Sequence, residues 1–183
     1  MALNTEAFYA GKATYADIVR AITHADLYKL TDDFFTSLQA SIAGVTDGGA
    51  TFAPHDPALK EGAEEAYTLG HVIVHLTASL EENASVGSVL ARGIAFDGRL
   101  RNEVPWQTIR TAQQVHGRIN ESRRICRAFL DTWPNAPHLD ITVVRIPHFG
   151  PMNAVGMHVL GILHGESHIE QLQEIMRQSK TLL

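Results

Sequence analysis

Apolar side chains recur at steps of three and four residues along four stretches of the chain, the spacing that lays them on one face of an α-helix. The first stretch runs through Ile18, Val19, Ile22, Leu30, Phe34, Leu38 and Ile42. Thr14 sits where an N-cap belongs, with Asp17 at the third helical position, close to a capping box, and the helix is expected to end near Gly44. The second is expected from Thr68 to about Ala91, with Leu69, Val72, Ile73, Leu76, Leu80 and Leu90 as its buried stripe and Gly93 as its stop. The third opens at Pro105, whose missing N–H is not needed in a first turn. It continues through Ile109, Val115, Ile119, Phe129 and Leu130 to Trp133, and Pro134 ends it. The last starts near Asn153 and reaches about Gln178.

Between these lie two long connectors. The segment from Thr46 to Tyr67, punctuated by Gly48, Gly49, Pro54 and Pro57, is long for a compact domain and is expected to carry a short helix or to line a site. From Asn135 to Met152, prolines 137, 147 and 151 surround the β-branched run Ile141 to Val144, which predicts an extended connector with at most one short strand. Four amphipathic helices without an alternating strand pattern predict an all-α fold, a four-helix bundle with long connectors, as a single domain over residues 1–183. Periodicity leaves both crossover and up-and-down topologies open.

Composition narrows the partners. Hydrophobic residues at 45% and charged residues at 19% are ordinary globular values. A net charge of -5 and the absence of a clustered Lys and Arg surface argue against nucleic acid. No basic stretch with a following apolar run opens the chain, and no span of eighteen apolar residues occurs, so a soluble cytoplasmic protein with no membrane partner is expected. One cysteine cannot form an internal disulfide, and Cys126 falls on the apolar stripe with Ile119, Phe129 and Trp133, where a buried, inert thiol is expected.

The unusual number is ten histidines against fifteen Lys plus Arg. His164 and His168 are four apart on the last helix, so their Cβ atoms stack about 5 to 6 Å apart on one face, close enough to grip one ion. Gly161 and Gly165 lie on the same side, and a helix-interior glycine costs about 1 kcal/mol against alanine, so something there demands room. The second helix offers His71 and His75. With Thr68 as N-cap, His71 falls at the third helical position and points back toward the cap, half exposed, while His75 lies a full turn inside and borders the apolar stripe. His75, His164 and His168 are therefore the candidate metal ligands. Three imidazoles leave a coordination position open, as in reactive rather than purely structural sites, and neutral nitrogen donors suit Zn, Ni, Co or Fe.

Two segments carry a family resemblance. Tyr67 and Thr68 open the second helix ahead of His75, and His164, His168 and Gln171 follow one another at steps of four and three on the last helix. This pattern resembles the DinB-like metal-binding four-helix bundles, unrelated to the DNA polymerase of that name, with Tyr67 where the family usually has Trp. The resemblance implies His75, His164 and His168 as ligands of a divalent metal, commonly Zn or Ni, in an up-down-down-up bundle that often dimerises. It also implies a metal-dependent transferase that joins a low-molecular-weight thiol to an electrophile, with a stress-related role attached to the non-catalytic alternative. A non-catalytic metal- or ligand-binding homodimer and a metal-dependent hydrolase are the alternatives. No residue presents itself as a catalytic acid or base.

Other charged positions carry weaker expectations. Glu166 lies between the two histidines in sequence but is turned about 200° from His164, so it is not expected to be a ligand. Glu81 and Glu82, one or two turns beyond His75, are expected to be solvated rather than partners of the site. Arg99, Arg101 and Arg145 lie on connectors and are expected mostly to face water, with the anchoring of an anionic thiol's carboxylates as the other reading. No motif is legible from Gly98 to Trp106 or from Glu121 to Asp140.

Overall fold

The computed structural model describes residues 5–55, 67–101 and 103–180, and among them the fold is all-α with no strand. The helices are α1 (Glu6–Tyr9), α2 (Tyr15–Val19), α3 (His24–Ser41), α4 (Asp47–Thr51), α5 (Leu69–Ala91), α6 (Ala112–Asp131), α7 (Ala154–Glu166) and α8 (Ile169–Ser179). Two single 3-10 turns, Trp106–Thr108 and Pro147–Phe149, sit in the connectors. None of the described helices is long and apolar enough to cross a membrane.

Capping chemistry explains where the helices start. Thr14 and Asp17 form the expected capping box, but Thr23 and Asp26 form a second one nine residues later, so the first predicted helix is two, α2 and α3. Each box satisfies backbone N–H groups that a continuous helix would have bonded internally, and the break between Arg20 and Ile22 follows from that competition. The third predicted helix also starts later than Pro105. Pro105 leads only into the 3-10 turn, Ile109 is extended, and the box of Thr111 with Gln114 opens α6. Thr68 and Asn153 cap α5 and α7 as the sequence implies, accepting from the amides of His71 and Gly156.

The last predicted helix is interrupted at Ser167 and His168. The His168 amide bonds to Gly165 O three residues back, and Ser167 Oγ donates to His164 O at 2.7 Å. A Gly and Ser pair of this kind is a familiar cause of helix bending, since side-chain bonding replaces part of the backbone ladder. The connector run Ile141 to Val144 forms no strand; Val143 and Met152 make a single antiparallel bridge, and the flanking Pro147 and Pro151 supply no N–H to extend it.

Helix α5 is the hub, packed against α6, α7, α4 and α8, while α3 lies across α6, α7 and α8. It is buried nearly all round rather than along one stripe. Its polar members avoid the cost of unpaired burial by bonding back to their own helix, as Thr77 Oγ1 does to Ile73 O at 2.6 Å and Ser85 Oγ to Glu82 O at 2.8 Å. Leu69, Ile73, Leu76 and Leu90 of α5 join Phe35, Leu38, Ile119 and Leu130 in the fully buried core. Each such side chain contributes roughly 1.5–3 kcal/mol of burial.

The glycines of α7 serve this packing. A Cβ at Gly161 would stand 3.1 Å from Asn83 Cβ and 3.3 Å from Leu80 Cα, so its absence lets α7 close onto α5. Gly165 has the ring of Phe34 from α3 where a Cβ would be. The room that the sequence demands near His164 is taken by neighbouring helices.

Candidate metal centre

His75 projects from the second turn of α5, His164 from the last turn of α7, and His168 from the joint between α7 and α8. The close approach at Gly161 sets α5 beside α7, and the bend at Ser167 brings the His168 ring round to the same point. One ring nitrogen from each histidine lies within 4.8 Å of the others. His75 Nε2 and His164 Nε2 are 3.2 Å apart, and the ring planes cross at 62° and 82° rather than stacking. Metal–nitrogen bonds of 2.0–2.1 Å in a tetrahedral centre put neighbouring donors roughly 3.4 Å apart, so the spacing fits one ion.

The protonation of the cluster suits ligation as well. Burial, reinforced by the neighbouring His168, holds both His75 and His164 down at about 4, with Arg101 adding to the effect. Near neutral pH both rings are therefore uncharged and retain a lone pair. His168 Nδ1 lies 2.9 Å from Gln171 Oε1, an acceptor, so Nδ1 carries the proton and Nε2 is left free to bind. Gln171 thus orients His168 in the manner of the outer partners that fix ligating imidazoles.

His75 is held differently. Arg101 Nη2 stands 2.9 Å from its Nδ1, and a guanidinium only donates, so Nδ1 accepts and the ring's proton sits on Nε2, directed at His164 Nε2. Ligation through Nε2 requires that proton to move to Nδ1, and Arg101 to give way. Glu103 Oε1, 4.0 Å from His75 Nδ1 and paired with Arg101, is the carboxylate placed to accept it. No local sequence feature points to Arg101 and Glu103, because their segment carries no motif and reaches His75 only through the fold.

Beyond the imidazoles lies an ion-pair network. Glu82 is buried, not solvated: it accepts from Arg99 Nε at 3.2 Å, from Arg99 Nη2 at 3.3 Å and from Arg145 Nη2 at 2.8 Å. Glu81 is also mostly buried, paired with Arg118 on the α6 side. The side chains of Arg101 and Arg145 are 25% and 15% exposed, so neither simply faces water, whereas Arg99 is 69% exposed.

The remaining candidates fall elsewhere. His71 is half-buried between the rings of Tyr67 and Trp106, stacked at 4.8 Å and 1° on the latter, and takes no part in the cluster. Glu166 is exposed and outside it. Cys126 is buried and burial pushes its thiol well above the ordinary range, which keeps it protonated. The loop residues 56–66, including Pro57, lie outside the described residues; α4 supplies the short helix expected in that connector.

Fold and site together define an all-α protein with a possible three-histidine metal centre. No family model, no curated protein and no solved structure matches the chain.

Proposed function

We propose that the protein is a divalent-metal protein of the DinB-like type, an up-down-down-up bundle that acts as a homodimer and transfers a low-molecular-weight thiol to an electrophile. His75, His164 and His168 are its Zn or Ni ligands. The observation that carries this reading is the convergence of three imidazoles, drawn from positions up to 93 residues apart in sequence, onto a space of one ion's size. A bound divalent ion would lower the pKa of a thiol in the open position toward neutrality, supplying a nucleophile.

The chain's own residues do the rest. Gln171 fixes the His168 tautomer, burial keeps His75 and His164 uncharged, and the packing of α5 on α7 sets those two side chains beside each other. In the transfer, sulfur forms a bond to the electrophile's carbon, that carbon's bond to its leaving group breaks with the electron pair, and the thiol proton passes to solvent.

Elemental analysis of the purified protein beside a His75→Ala variant tests the metal, and a conjugation assay with several cellular thiols tests the chemistry. About one Zn or Ni per chain, lost in the variant, together with metal-dependent thiol consumption, is expected. Protein that holds no stoichiometric metal overturns the reading; metal retained without thiol consumption replaces it with the non-catalytic binder.

A further inference from the structure

A pocket of about 330 Å³ opens against the histidine cluster, with His75 and His164 in its wall. Its floor comes from α5, through Ser79, Glu82 and Asn83, and its rim from two connectors, through Arg99, Arg101 and Arg145. In a chain of net charge -5, three guanidinium groups facing one small pocket are a local reversal of sign.

These arginines are held in place rather than solvated at random. Buried Glu82 ties Arg99 and Arg145 together, and Arg145 Nη1 also donates to Asp97 O at 3.1 Å. Arg101 is fixed by His75 Nδ1 and Glu103, yet its buried Nε has no partner among the described residues. Each guanidinium carries five N–H donors, and the described bonds use two on each. Among the described residues the carboxylates paired with these three positive charges are Glu82 and Glu103, which leaves the rim with an excess of positive charge that suits a carboxylate.

We propose that this pocket is a subsite for a small organic acid, whose carboxylate is anchored by Arg99, Arg101 and Arg145 while the rest of the molecule extends toward the histidines. The pocket is large enough for a small metabolite. Its catalytic meaning rests on the metal-centre reading above, whereas its affinity for carboxylates does not. Ligation of an ion by His75 would turn Arg101 away from Nδ1 and free it for the anion, so the two ligands should assist each other.

Calorimetric titration of the full chain with succinate, after chelator treatment and again with one equivalent of Zn, tests this. Saturable binding with a Kd of about 1 mM or tighter is expected, weakening as salt rises. Arg145→Gln should weaken it about tenfold or more. Because that change leaves Glu82 buried with one partner fewer and can cost the fold, exposed Arg99→Gln is the companion variant, expected to weaken succinate about threefold without altering Zn uptake. Succinamide binding as well as succinate, phosphate binding more tightly, or both variants binding like wild type would overturn the subsite. Zn uptake without succinate binding removes the subsite and leaves the metal centre; succinate binding by a chain that takes up no Zn does the reverse.

Discussion

With its Nδ1 proton held by Gln171, His168 offers a lone pair that needs no rearrangement, and His75 does not. The two rings therefore respond in opposite ways to their neighbours. Gln171→Leu removes the acceptor and lets the His168 ring and its proton wander; a loss of about 10–100-fold in Zn affinity is expected in a competitive chelator titration. Arg101→Met takes away both a competitor for His75 Nδ1 and a positive charge beside the proposed ion site, so the same titration should show tighter Zn binding; weaker binding would mean that Arg101 supports the centre. At this scale the sequence was legible for neighbours about a turn apart along the chain, even across the joint between α7 and α8. His164, His168 and Gln171 lie on successive turns and could be read from spacing. Arg101, Glu103 and the paired state of Glu82 depend on where a connector settles, and no local pattern encodes that. The choice of His75 over His71 was legible because Thr68 sets the phase of α5, and the fold shows His71 occupied elsewhere, between two aromatic rings.

Capping side chains that fold back on the backbone make the helices shorter than apolar periodicity predicts, without changing their kind. Thr23 with Asp26, and Thr111 with Gln114, are start signals as plain as Thr14 with Asp17, yet unbroken apolar periodicity masks the first and Pro105 draws attention from the second. A long apolar period reports which face is buried, and is silent about a joint. The two glycines of α7 show the complementary limit, since their spacing indicates close approach without saying to what. Gly161→Ala would push a methyl group against Asn83 Cβ and the Leu80 backbone, and overpacking of this kind costs about 1–3 kcal/mol. Urea denaturation should register that loss. Because α5 and α7 carry His75 and His164, the same variant should also bind Zn more weakly, and unchanged affinity would show that the helices yield elsewhere.

Among the described residues, His158 is an acid-sensitive element that lies outside the three-histidine cluster. His158 is buried in the core, with Nε2 2.8 Å from Thr31 Oγ1, and burial holds it at about 4. An unfolded histidine takes up its proton near 6.5, so between the two values the unfolded chain binds a proton that the native one refuses. Stability is then complete above pH 6.5 and falls as the pH drops toward 4, by about 3 kcal/mol from this residue. Metal-free His75 and His164 act in the same direction, more weakly because water reaches them. Urea midpoints at pH 7 and pH 4.5 should differ accordingly, and His158→Gln should flatten the slope; an unaltered slope would locate the sensitivity elsewhere. The bend after Gly165 has a consequence of another kind. His164 and His168 belong to segments that are not one continuous rod, so an ion seated between them would rivet the joint and fasten the terminal α8 to the central helix. Stripping that ion should loosen α8 before anything else, and faster amide exchange confined to Ile169–Ser179 would be its trace.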